Sequence, residues 1–112
     1  MTSIFRGVIP ALMTEMKQDG ALDHEATSRH IESCLAAGVN GFVMLGTLGE
    51  NSSLSLEEKE TVVRNAVQTV NGRAPIIAGV AEYTTDLAIA TARRLAAAGA
   101  DCLMALPTMV YQ

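Results

Sequence analysis

Gly46, Thr47, Leu48, Gly49 and Glu50 are the stretch of this sequence best suited to chemistry. They follow a short apolar run, Gly41–Leu45, and so belong where a strand leaves a sheet. Two glycines bracketing such a segment let the backbone turn sharply and present successive N–H groups, a nest suited to a carboxylate. Thr47 adds a hydroxyl that both donates and accepts, as a proton relay requires. On residue types alone, the same segment could be an ordinary strand-to-helix turn with a satisfied threonine. Glu50 reads as an acceptor that orients the loop rather than as a general acid or base.

The remaining reactive groups point elsewhere. Lys17 and Lys59 are the only lysines, one in a loop and one at a helix start, and both read as solvent-facing. His24 and His30 lie six apart, which is not the i, i+4 spacing that places two metal ligands on one helix face. Cys34 falls in a helical pattern and Cys102 in a strand pattern, as two buried free thiols of a reducing compartment would. Met44, Met104 and Met109 read as core filling. No metal and no cofactor is expected.

Bulk composition narrows the class. The 112 residues are 49% hydrophobic and 18% charged, as a globular chain requires. The net charge of −4 and the scattered basic residues argue against a nucleic-acid surface. No apolar run approaches the ~20 residues of a membrane span. The opening residues do not resemble a signal peptide. A cytoplasmic protein is expected.

Strand and helix patterns alternate to place these groups. Gly7–Met13, Gly41–Leu45, Pro75–Val80 and Asp101–Leu106 are continuous apolar runs, as in parallel strands covered on both faces. Asp23 can cap a first helix, and Ser55-Leu56-Glu57-Glu58 fits a capping box before the stripe Val62, Val63, Ala66, Val67, Val70. Asn71-Gly72 stops that helix, and Thr84-Thr85-Asp86 opens a third that Gly99 ends. Ala36-Ala37-Gly38-Val39-Asn40 recurs 61 positions later as Ala97-Ala98-Gly99-Ala100-Asp101. That offset is two βα units of roughly 30 residues each. A right-handed parallel α/β sheet follows. Closing it into an eight-stranded barrel takes about 200–250 residues, so residues 1–112 are expected to be the N-terminal half of a single TIM (β/α)8-barrel domain. A small open sheet of flavodoxin type is the alternative, but no Gly-rich phosphate loop follows the first strand.

Gly46-Thr47-Leu48-Gly49-Glu50 resembles the G-[ST]-x-G-E signature of the dihydrodipicolinate synthase and N-acetylneuraminate lyase family. Phe5 to Ala11 resembles the family's opening strand, and Asn51 to Lys59 its loop into the second helix. Ile77-Ala78-Gly79-Val80 followed by Thr84-Thr85 is similar to the third strand and its exit. The resemblance covers essentially the whole chain. It implies a class I aldolase-type mechanism in which a lysine on a later strand forms a Schiff base with a 2-oxo acid and a tyrosine moves protons. It matches Thr47 to the catalytic relay threonine. It matches the backbone N–H groups of Thr47 and Leu48 to the cradle that binds the substrate carboxylate. It also implies a homo-oligomer, a homotetramer, acting on a small molecule. The Schiff-base lysine would lie beyond this chain, so residues 1–112 alone are expected to be inactive.

Two departures from the synthase pattern bear on substrate. Leu48 stands where synthases carry a second threonine. Met109 and Val110 stand where they carry aromatic residues, with Tyr111 one position late. The ending Leu-Pro-x-Met-Val-Tyr, with Gly-x-x-Gly-Glu-Asn, resembles the branch that deaminates Δ1-pyrroline-4-hydroxy-2-carboxylate. Dihydrodipicolinate synthesis and 2-oxo sugar-acid aldol chemistry are the alternatives within the family. A non-catalytic truncated half-barrel is the alternative outside it.

Overall fold

The computed structural model describes residues 7–12, 14–46, 54–82 and 84–105. Among the described residues three helices alternate with three strands: α1 (His24–Ala36), β1 (Phe42–Met44), α2 (Leu56–Val70), β2 (Ile76–Val80), α3 (Thr85–Ala97) and β3 (Cys102–Ala105). The strands form one parallel sheet in chain order. Phe42 pairs with Ile76 and Met44 with Ala78, while Ile77 pairs with Cys102 and Val80 with Ala105.

The expected first strand, Gly7–Met13, is only partly formed. Its described part lies beside β1 and makes a single parallel bridge, Ala11 with Val43. Leu12 donates to the Val43 carbonyl at 3.0 Å, and Pro10 accepts from Val43 at 2.9 Å. Pro10 has no N–H to offer, so the ladder breaks at that residue. The polar connection that follows folds back on itself: Met16 bridges Leu22 in antiparallel fashion, and Gly20 donates to the Lys17 carbonyl.

Each helix starts where a side chain can absorb its free N–H groups. Asp23 accepts from Ala26 at 3.0 Å, and Thr84 accepts from Leu87 at 3.1 Å. Ser55 and Glu58 exchange bonds of 3.2 and 2.9 Å, completing the capping box.

The repeated pentapeptide builds the same joint twice. Val39 donates to Cys34 and Ala100 to Leu95, each closing a Schellman turn through a glycine at φ 95° or 113°. The polar residue after each turn then clamps an earlier segment from both sides. Asn40 donates its N–H to the Val8 carbonyl at 2.7 Å, and its Oδ1 accepts from Val8 at 2.9 Å. Asp101 does the same with Ile76, at 2.8 Å in each direction. The side chain supplies the acceptor that the next strand's backbone would otherwise provide.

The pleat divides the sheet into two faces. Phe42, Met44, Ile76, Ala78 and Val80 face the helices and meet Ile31, Val62, Val63, Ala66, Val70 and Leu95 in one core. Val43, Ile77, Gly79, Cys102 and Met104 fall on the other face by register. Met44 is fully buried as expected, whereas Met104 on the opposite face is 41% exposed and fills no core. Cys34 and Cys102 are free thiols, half-buried rather than buried. Arg94 joins α3 to α2 through Glu60 at 3.0 Å, and this hydrogen bond holds the Glu60 carboxyl below its usual range. Among the described residues no helix is long and apolar enough to cross a membrane.

The two-way clamp makes a specific prediction. Asp101→Ala leaves the buried Ile76 N–H without its acceptor and should cost about 1–3 kcal/mol. Asp101→Asn, which copies the residue used at position 40, should retain most of that stability. Urea unfolding of the full-length protein measures both.

Candidate functional site

The ends of the strands converge on one edge of the sheet. The first segment leaves through Thr14, which is buried, and Glu15, whose N–H donates to Thr27 Oγ1 at 3.3 Å. β1 leaves through Leu45 and Gly46. Leu45 is buried and adopts a left-handed conformation, φ 62°. For a residue with a β-carbon that region carries a cost of about 1–2 kcal/mol, and such residues concentrate at functional turns. The turn brings the Leu45 carbonyl against Gly79 of β2. A β-carbon at position 79 would collide with Leu45 O and stand 3.0 Å from its carbonyl carbon. The obstacle is backbone, which cannot swing aside as a side chain can, so only glycine fits there.

Beyond β2 the exit carries a buried polar cluster. Glu82 Oε2 accepts from Lys59 Nζ at 2.8 Å and from Thr91 Oγ1 at 3.0 Å. Lys59 belongs to the second turn of α2 and Thr91 to α3, so Glu82 ties both helices to the end of β2. The side chains of Lys59 and Glu82 are only 4% and 10% exposed. The expectation of a solvent-facing Lys59 is therefore corrected. Its position continues the α2 stripe backwards, since 59, 62, 63, 66 and 70 all lie on the buried face. That spacing was the available signal: a lysine on an apolar stripe requires an acid inside. Sequence reasoning puts Glu82 at a strand exit but assigns no role to it or to Thr91. Lys17, by contrast, is exposed in its turn, as expected.

Thr47 and Leu48, the residues singled out for catalysis and carboxylate binding, lie outside the described residues, as do Gly49 and Glu50. Met109, Val110 and Tyr111 also lie outside them. The structure fixes Leu45 before the signature, Gly46 as its first residue, and Leu54 and the Ser55 cap after it. Neither lysine of the chain stands as a free amine at the strand exits. Lys59 Nζ is paired and buried, and Lys17 is in the first connection.

A parallel sheet in chain order, helices on one face and a polar cluster at the strand ends define a run of βα units from a (β/α)8 barrel. Comparison with known proteins agrees. A profile of the Dihydrodipicolinate synthetase family matches residues 4–111, and the chain belongs to that family. It is 41% identical over 101 residues to a 4-hydroxy-tetrahydrodipicolinate synthase of Agrobacterium fabrum, covering 90% of this chain and 34% of the relative. A protein of the same name from Methanoculleus marisnigri is 40% identical over 100 residues, covering 88% and 34%. The chain thus spans about a third of the length of these relatives. Among solved structures, the fold is similar to YagE, a prophage protein of the dihydrodipicolinic acid synthase family from E. coli K12 in complex with pyruvate. The TM-score is 0.92 at 31% identity, covering 98% of this chain and 37% of that one. The dihydrodipicolinate synthase of Acinetobacter baumannii complexed with pyruvate gives 0.88 at 34% identity, covering 91% and 35%. The expected barrel units and the family resemblance are both borne out.

The buried pair predicts an asymmetric mutational response. Lys59→Met or Glu82→Leu alone strands one member of the cluster and should destabilise the protein by about 3–5 kcal/mol. The double substitution Lys59→Met with Glu82→Leu should recover most of that loss, because no buried charge remains. Denaturant unfolding of the two singles and the double forms the cycle that decides it.

Proposed function

We propose that this chain is the N-terminal half of a single (β/α)8-barrel domain of a Schiff-base-forming lyase, with Thr47 relaying protons at the exit of β1. Family membership carries the reading, since the strand-exit signature Gly46-Thr47-Leu48-Gly49-Glu50 matches the family pattern at the position where barrel enzymes keep their chemistry. The backbone N–H groups of Thr47 and Leu48 bind the substrate carboxylate. The Thr47 hydroxyl accepts and returns a proton while a lysine from a later strand holds the substrate as an iminium, which serves as the electron sink. Lys59 is excluded from that role by its pairing with Glu82. The protein acts as a homo-oligomer in the cytoplasm.

The substrate is a 2-oxo acid or a cyclic imine carboxylate. Leu48 replaces a second hydroxyl and leaves the pocket more apolar, as do Met109 and Val110. These residues favour release of ammonia from a hydroxypyrroline carboxylate. A second reading, condensation of pyruvate with aspartate semialdehyde, is favoured by the names of relatives 40–41% identical to this chain. In the full-length enzyme, side-by-side assays should give faster turnover of the hydroxypyrroline carboxylate; efficient condensation instead would establish the synthase reading. Thr47→Val should lower kcat by about 100-fold or more with the fold intact. Unchanged turnover in that variant would remove Thr47 from the mechanism.

A further inference from the structure

The described residues that flank the Thr47-bearing connection are both held by β2 and its exit. At the start of the connection, the left-handed Leu45 lays its carbonyl on Gly79. At its end, Ser55 caps α2, and one turn later Lys59 reaches Glu82 at 2.8 Å. Gly79 and Glu82 are three residues apart. Glu82 is held in turn by Thr91 of α3, itself fully buried. Helices α2 and α3 already share an apolar core around Val62, Val63, Ala66 and Leu95. An apolar pair in place of Lys59 and Glu82 would hold them together at least as well. What the ion pair adds is direction. Apolar side chains tolerate sliding, whereas a short charge-assisted bond to a doubly held carboxylate fixes α2 along its own axis.

We propose that Lys59 and Glu82 are positioning residues for the reaction, setting the placement of the Thr47-bearing connection by locking the start of α2 to the exit of β2. The proposal rests on the reading that Thr47 handles protons of the bound substrate. A positioning error of this kind lowers turnover more than binding.

The test uses the full-length protein with three measurements: unfolding midpoint, amide exchange of peptides spanning 46–55, and steady-state kinetics. Lys59→Met with Glu82→Leu should unfold close to the wild-type midpoint yet exchange faster across 46–55. Its kcat should fall about tenfold or more while KM stays near the wild-type value. Lys59→Arg, which keeps the charge and can still reach Glu82, should restore both readouts in part. Wild-type exchange across 46–55, or wild-type kcat, in a folded double variant overturns the proposal. Should the double variant not fold, Thr91→Val supplies the same comparison by removing one bond to Glu82 without stranding a charge. Borohydride trapping of the wild-type enzyme with pyruvate separates the two levels. A missing adduct together with absent turnover sinks the Schiff-base reading, and the exchange measurement still decides whether the anchor exists.

Discussion

The carbonyl of Leu45 lies where a β-carbon at position 79 would stand, and the exit side of this sheet is arranged around that contact. Because β1 must bend onto β2 there, it ends after three paired residues. Because it bends through a left-handed Leu45, that side chain turns inward and joins the core. Gly46 therefore sits over β2, its nitrogen 3.4 Å from where a β-carbon at position 79 would stand. A bulkier residue at position 79 would push the turn off the sheet and take the start of the signature with it.

β2 can serve as that support because it is held everywhere else. It pairs with a strand on each edge, and all five of its residues are buried. Its entrance is fixed by the carboxylate of Asp101 and its exit by the two helices gripping Glu82. A parallel sheet has slanted, evenly spaced bonds and no tight hairpins to set its register, so side chains at the strand ends do part of that work. The surface pairs, such as Arg73 with Glu32, contribute far less, because water and salt screen them.

Much of this is legible in the amino-acid sequence. The caps at Asp23, Ser55 and Thr84 and the glycine stops follow from local chemistry, in which a few neighbouring residues decide the outcome. The strand cores were readable for the same reason, as unbroken apolar runs. The first strand reads as a full strand but is only partly formed, because Pro10 removes one rung and the pairing of Ala11 depends on Val43, 32 positions away. Lys59 was misjudged because residue type outweighed position: a lysine near a helix start usually reaches water, yet this one lies on the stripe that faces the core. Glu82 is legible as a strand-exit residue but its burial is not, since its partners come from two different helices. Thr47 and Leu48 stood out only through the glycines around them and the family pattern.

The twin joints at Gly38 and Gly99 also differ in how freely evolution can edit them. Both glycines have positive φ, but nothing lies within 4 Å of a β-carbon at 38, whereas one at 99 would stand 3.0 Å from a methyl group of Val67. A drifting lineage could install asparagine at 38 for a modest backbone cost, since that residue enters left-handed turns most readily. The same change at 99 would also require the Val67 side chain of α2 to give way slightly. Two copies of one ancestral-looking pentapeptide thus carry unequal mutational freedom, and the copy wedged beneath the central helix is the one bound to keep its original form.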